Sequence, residues 1–285
     1  MFAAGRSWKM HRTLRSALLG ILCLLLAACS AAARPGAAEQ AQVELTVLAA
    51  SSLTDAFADM AALFEAENPG VRVLLSFGGS SELATQLAEG APADLFASAN
   101  MRQMQNAMDA GRIAEEPVNF LTNSLVVIVP ADNPAGIETL ADLANPGIRF
   151  VSAAPAVPIR DFAEQVLDKA SADPQYGTNF KEAVMANLVS EEDNVRQLAA
   201  KVALGEADAG IVYISDVTPD IADQVQVIEI AEAVNVVAVY PLAVVSDSAH
   251  PDLAQAFIDL VLSDEGQKIL EKWGFGPAPD ATSSN

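Results

Sequence analysis

The sequence predicts an α/β protein of two lobes with a ligand cleft between them, and three observations carry that expectation. Short apolar runs alternate with helical periodicities along the body of the chain, the pattern of α/β lobes with mainly parallel sheets. Two stretches, Pro130 to Pro134 and Ala233 to Val239, read as crossings between lobes. Four strand-to-helix junctions begin with residues suited to open a helix.

The first strand, Leu45 to Ala49, runs into Ser51-Ser52-Leu53-Thr54-Asp55, with serine at the natural N-cap of a helix whose Leu53, Phe57, Met60 and Phe64 recur at helical spacing. The second, Val71 to Phe77, passes through Gly78-Gly79-Ser80-Ser81 into a helix carrying Leu83 and Leu87 and ending near Gly90. Strands follow at Leu95 to Ser98, Leu125 to Val129 and Phe150 to Ser152. Pro158, in Val157-Pro158-Ile159, is placed to open a helix bearing Phe162, Val166 and Leu167. Asn194 is the expected cap of the helix with Val195, Leu198 and Val202. Strands at Ala209 to Tyr213, Val225 to Ile230 and Val236 to Val245 complete the body. If the chain leaves the first lobe at the first crossing and returns at the second, lobe 1 comprises 43–130 and 237–285, and lobe 2 is the insertion 131–236.

The N-terminal stretch reads differently. Residues 1–28 carry Arg6, Lys9, Arg12 and Arg15 and no acidic residue, then an apolar run from Ala17 to Ala28 broken only by Gly20. At helical rise that run covers about 18 Å, short of a bilayer core, so a signal peptide is expected and not a membrane span. Leu26-Ala27-Ala28-Cys29 resembles a bacterial lipobox, which would make Cys29 the lipid-bearing first residue and 29–42 a flexible tether. The alternative is cleavage by an ordinary signal peptidase that passes Cys29 over.

Composition narrows the function classes. The formal net charge of −21 becomes −25 once residues 1–28 are removed, a surface that repels nucleic acid and anionic lipid. It also repels small anions at long range, so an anion site has to rest on local dipoles. Cys23 leaves with the signal segment and Cys29 is consumed by lipid, so the body has neither disulfide nor thiol chemistry. Its single histidine, His250, precedes Pro251 in an expected loop, which leaves no Ser-His-acid arrangement and no histidine-rich metal site. A binding protein without catalytic residues or cofactor is the expectation.

The four junctions suggest what is bound. A helix start presents unpaired N–H groups and the positive end of the helix dipole, and so attracts anions without a charged side chain. Glycines 78 and 79 let the backbone approach, serine hydroxyls add donors, and all four junctions lie at the carboxyl ends of strands, where ligands of open α/β sheets collect. Each junction alone is equally an ordinary cap, worth about 1 kcal/mol.

Several segments together carry a resemblance. Ala49-Ala50-Ser51-Ser52-Leu53-Thr54-Asp55-Ala56, Ser76-Phe77-Gly78-Gly79-Ser80-Ser81-Glu82-Leu83 and Gly90-Ala91-Pro92-Ala93-Asp94-Leu95-Phe96-Ala97-Ser98-Ala99 begin it. Asn123-Ser124-Leu125-Val126-Val127, Glu192-Asp193-Asn194-Val195-Arg196, Gly210-Ile211-Val212-Tyr213-Ile214-Ser215-Asp216 and Tyr240-Pro241-Leu242-Ala243-Val244-Val245 continue it. In order and spacing, over about Leu45 to Gly276, they resemble the molybdate-binding proteins of ABC transporters.

The resemblance implies a type II periplasmic-binding-protein fold and an oxyanion, molybdate or tungstate, held from both lobes. Ser52 and Ser80 would donate through hydroxyl and N–H from lobe 1. Ile159 and Val195 would donate backbone N–H from lobe 2, and the Tyr213 hydroxyl would close the ring. Molybdenum is then bound as its oxyanion and not as a metal cation. The implied partners are ABC permease subunits and, through Cys29, the membrane, with the protein a monomer outside the cytoplasm. One segment departs: the family usually has Gly two residues after Pro158 and often Tyr two further on, where this chain has Arg160 and Phe162. Arg160 either faces solvent or pairs with Asp161 or Glu164, or else lines the cleft. Sulfate, phosphate and ferric iron are the alternative ligands. Iron sites favour paired tyrosines, and of Tyr176, Tyr213 and Tyr240 only Tyr213 is expected at the cleft.

Overall fold

The computed structural model describes residues 42–279. The expected signal segment, Cys29 and all but the last residue of the 29–42 tether lie outside the described residues.

The strands are β1 (Val43–Ala50), β2 (Val71–Gly78), β3 (Leu95–Ala97), β4 (Val118–Pro130), β5 (Phe150–Ala153), β6 (Leu188–Glu192), β7 (Ala209–Tyr213), β8 (Val225–Glu229) and β9 (Val237–Val244). Their order is β2-β1-β3-β9-β4-β7-β5-β6, with β8 also paired to β4. β4 changes partners along its length. Its residues from Val118 to Ser124 pair with β9, whereas Leu125 to Ile128 pair with β7 and Val126 to Pro130 with β8. The change of partner thus falls inside one continuous strand, ahead of Pro130.

The sheets are mixed and not mainly parallel. β1 pairs in parallel with β2 and β3, and β5 with β6 and β7, but every pairing made by β4 or β9 is antiparallel. β4 and β9 thus join the two parallel units and run against them. β6 was not legible as a strand, because Leu-Val-Ser-Glu-Glu at the sheet edge is alternately half-buried and exposed and contributes little apolar signal.

Helix α1 (Thr54–Glu67) buries Ala56, Phe57, Met60, Ala61 and Phe64 on one face. Phe57 and Phe64 meet Phe257 of α7 (Pro251–Leu262) edge-on, at 5.9 and 5.3 Å between ring centroids. Each buried ring contributes roughly 1.5–3 kcal/mol. On the other face of the lobe 1 sheet, α2 (Ser80–Ala88) and α3 (Met101–Asp109) pack Leu83, Leu87, Met104 and Ala107 against Leu48 and Phe96. In lobe 2, α4 (Pro158–Ala172) and α6 (Val195–Ala203) bury Val166, Leu167, Leu198 and Val202. The short α5 (Phe180–Ala186) and the terminal α8 (Asp264–Lys272) complete the helices named here. Helices α3, α5, α7 and α8 were not singled out by sequence periodicity. No helix among the described residues is long and apolar enough to cross a membrane.

Candidate functional site

Strand register builds the site. The parallel pairing of β1 with β2 sets Ala50 opposite Gly78, so Ser51-Ser52 and Gly79-Ser80 emerge side by side. In lobe 2, Ala153 of β5 is opposite Glu192 of β6, which brings the starts of α4 and α6 together in the same way. The four junctions converge on one small hollow lined by Ala50, Ser51, Ser52, Gly78, Gly79, Ser80, Ala99, Val157, Pro158, Ile159, Val195 and Tyr213. Ser52, Ser80, Ile159, Val195 and Tyr213 are therefore all brought together, each at most 4% exposed. Arg160 is not among the lining residues. Its guanidinium donates to Glu164 at 2.6 Å, to Glu191 at 2.7 Å and to the Ala153 carbonyl at 2.9 Å.

The helix starts are capped unequally. Asn194 accepts the Gln197 N–H at 3.0 Å, as its position predicts. Residues Ser51–Leu53 instead form a single 3-10 turn ahead of α1, and neither it, α1, α2 nor α4 has a side-chain cap. As first-turn residues, Ser52, Ser80, Ile159 and Val195 have N–H groups that no intrahelical carbonyl can take. No other acceptor for them occurs among the described residues.

The serine hydroxyls are oriented from behind. Ser80 Oγ accepts the Ala99 N–H at 3.0 Å, which leaves its own proton free. Ser52 Oγ lies 3.0 Å from Tyr240 Oη, and Asn123 Nδ2 approaches Tyr240 Oη at 3.5 Å and Ser215 Oγ at 2.8 Å. Donation from Tyr240 to Ser52 would leave the Ser52 proton free for a ligand. Tyr240 thus stands directly behind the site, not away from it, with its ring 5.7 Å from that of Tyr213. The Tyr213 hydroxyl is buried without a hydrogen-bond partner among the described residues. Burial pushes both phenols above their ordinary range, Tyr213 strongly, so both remain neutral donors near pH 7.

No charged side chain lines the hollow, but a charged group flanks it. Arg196, on the first turn of α6, donates to Asp55 at 2.8 Å and approaches the Ser52 carbonyl at 3.4 Å. Its Nε is 3.0 Å from Asp216, a fully buried carboxyl whose oxygens find no aligned donor. Burial lifts Asp216 to about 7, against the opposing pull of Arg196. Gly79 matters for a different reason. A Cβ there would sit 2.5 Å from the Asp193 carbonyl oxygen, so the two lobes touch through its bare backbone. Sequence reasoning missed the roles of Tyr240, Asn123, Arg196 and Asp216. All four lie within the segments that carried the resemblance, but nothing in their local spacing pointed to a common site.

Among known proteins, the profile of the family described as bacterial extracellular solute-binding protein matches residues 45–276. The molybdate-binding protein ModA of Mycobacterium tuberculosis is 40% identical over 246 residues, covering 86% of this chain and 89% of that protein. Two solved structures share the fold at lower identity. The periplasmic molybdate-binding protein of Azotobacter vinelandii has a TM-score of 0.70 at 19% identity, over 82% of this chain and 100% of that one. The sulfate-binding protein SubI of M. tuberculosis has a TM-score of 0.75 at 22% identity, over 84% and 88%. With a match along nearly its whole described body, the chain belongs to the family of bacterial extracellular solute-binding proteins.

Proposed function

We propose that this protein captures molybdate, or its congener tungstate, between its lobes and delivers it to the permease of an ABC importer. Ser52 and Ser80 donate through hydroxyl and N–H, Ile159 and Val195 through N–H, and Tyr213 through its hydroxyl. One observation carries the reading: unpaired N–H groups from four helix starts and several hydroxyls converge on a hollow that no charged side chain enters. Such a shell suits a fully deprotonated dianion. It disfavours singly protonated phosphate, which needs a good acceptor for its proton. The 40% identity to a molybdate-binding protein supports the same ligand.

In this reading, residues 43–130 with 237–285 form lobe 1 and 131–236 form lobe 2, the body is held to the membrane by lipid on Cys29, and it works as a monomer. The ion enters while the lobes are apart, and closure completes the shell from both sides. The hollow is small, with empty space of about 200 Å³ between its lining residues, open solvent included.

A thermal-shift panel of molybdate, tungstate, sulfate, phosphate and ferric citrate tests the assignment. At a hundredfold excess over Kd, a ligand of the native state alone adds about 2.7 kcal/mol, or roughly 5–10 °C for a body of this size. Molybdate and tungstate are expected to give that shift. A shift with sulfate, phosphate or iron alone removes the ligand assignment.

A further inference from the structure

Two sets of contacts join the lobes beside the hollow, and they differ in burial. On α3, Arg102 pairs with Asp161 at 2.7 Å with half of its own side chain in solvent, and Gln103 donates to the Ala156 carbonyl at 2.8 Å. An ion pair this exposed holds little. Arg196 is placed differently, with its side chain 25% exposed, that of Asp55 29% and that of Asp216 fully buried. It rises from α6 of lobe 2, one residue after Val195, and crosses to Asp55 and the Ser52 carbonyl of lobe 1.

Asp216, in the turn that follows β7, fixes which lobe keeps the arginine. Separating the lobes breaks the contacts to Asp55 and Ser52 but leaves Arg196 beside Asp216. Arg196 therefore keeps its place beside Asp216 in either state, and only the bond across the cleft is made and lost with closure. The carbonyl that Arg196 approaches belongs to a residue lining the hollow, so closure and the placement of Ser52 are mechanically joined.

We propose that Arg196 is a positioning residue, a latch that couples closure of the lobes over the anion to retention of that anion by pairing across the cleft with Asp55. The proposal rests on the oxyanion reading above. A latch made only on closure acts on release and not on encounter, because most of its contribution arises after the ligand is in place.

The test is stopped-flow binding of molybdate to the wild-type protein and to Asp55→Asn, Arg196→Gln and the double variant. Asp55→Asn keeps Arg196 beside Asp216 and so leaves the buried carboxyl compensated, which guards against Arg196→Gln failing to fold. Asp55→Asn is expected to release molybdate about tenfold faster, with association within about twofold of wild type and an unchanged melting temperature for the ligand-free protein. The double variant is expected to release no faster than Arg196→Gln, since both changes remove one interaction. Release from Asp55→Asn at the wild-type rate overturns the latch, as do effects that multiply in the double variant. Arg102→Gln, at the exposed pair, is expected to have a smaller effect than Asp55→Asn, and a larger one overturns the assignment to Arg196. A wild-type protein that does not bind molybdate removes the proposed ligand, and the latch with it; tight wild-type binding with unaltered variants removes the latch alone.

Discussion

Tyr240 has no atom on the hollow's lining, yet it decides how Ser52 presents its proton. The Tyr240 hydroxyl, held neutral by burial and approached by the Asn123 amide, lies 3.0 Å from Ser52 Oγ and shares a hydrogen bond with it. Removing that hydroxyl leaves Ser52 free to rotate, and a hydrogen bond of this kind is worth about 1 kcal/mol. Tyr240→Phe is therefore expected to weaken molybdate binding about fivefold in calorimetry while the phenyl ring still packs against Phe120 and Phe275. Arg160 behaves in the opposite way. Its place in the sequence allowed it to enter the cleft, but two glutamates and a carbonyl outside the hollow hold it.

At the scale of elements, the helix starts matter more than the helices. Gly79 precedes α2 with an ordinary φ of −64°, so its need for a bare Cα comes from the Asp193 carbonyl of the opposite lobe and not from backbone strain. Gly79→Ala would set a methyl group 2.5 Å from that oxygen, a contact relieved only by holding the lobes apart. Molybdate affinity is expected to fall by at least about tenfold, because the donors of Ile159 and Val195 no longer reach the ion together with those of Ser52 and Ser80. The ligand-free stability changes only by the cap preference, a few tenths to about 1 kcal/mol. Solution scattering checks the cause: the variant should fail to contract on adding molybdate under conditions where the wild type does.

At the scale of the whole molecule, a strongly acidic body buries carboxyls that are costly to ionise, Asp216 most of all and Asp161 in the same direction. Asp216 titrates near 7 in the fold and near 3.8 when unfolded, so between these values the folded state binds the extra proton. Stability should therefore fall as pH rises through that window, and the slope has the opposite sign to that of a salt-bridged carboxylate held below its ordinary value. Thermal melts of ligand-free protein from pH 4 to pH 8 should show this decline. Asp216→Asn, which cannot ionise, should lessen it, with the variant gaining on the wild type at pH 8 and losing that gain by about pH 4. A decline of equal steepness in the variant would place the titration elsewhere.

Much of this was open to inspection residue by residue. Apolar runs and helical spacing marked most strands and the helices that begin at Thr54, Ser80, Pro158 and Val195, because local periodicity reports which face meets a core. The four junctions were legible for the same reason, each being a local signal at the end of a local element, whereas the choice of Ser52, Ser80, Ile159 and Val195 as donors came from the resemblance. Strand β6 escaped, since a polar edge strand is defined by its neighbour and not by its own composition. What the sequence alone determined was the alternation of elements and the chemistry at their joints. Only the tertiary structure decided that Tyr240 stands behind Ser52, that Gly79 meets Asp193, and that Arg196 spans from Asp216 to Asp55. Those are contacts between residues up to 188 positions apart, and no local pattern encodes them because the strand register and the lobe crossing in β4 create them.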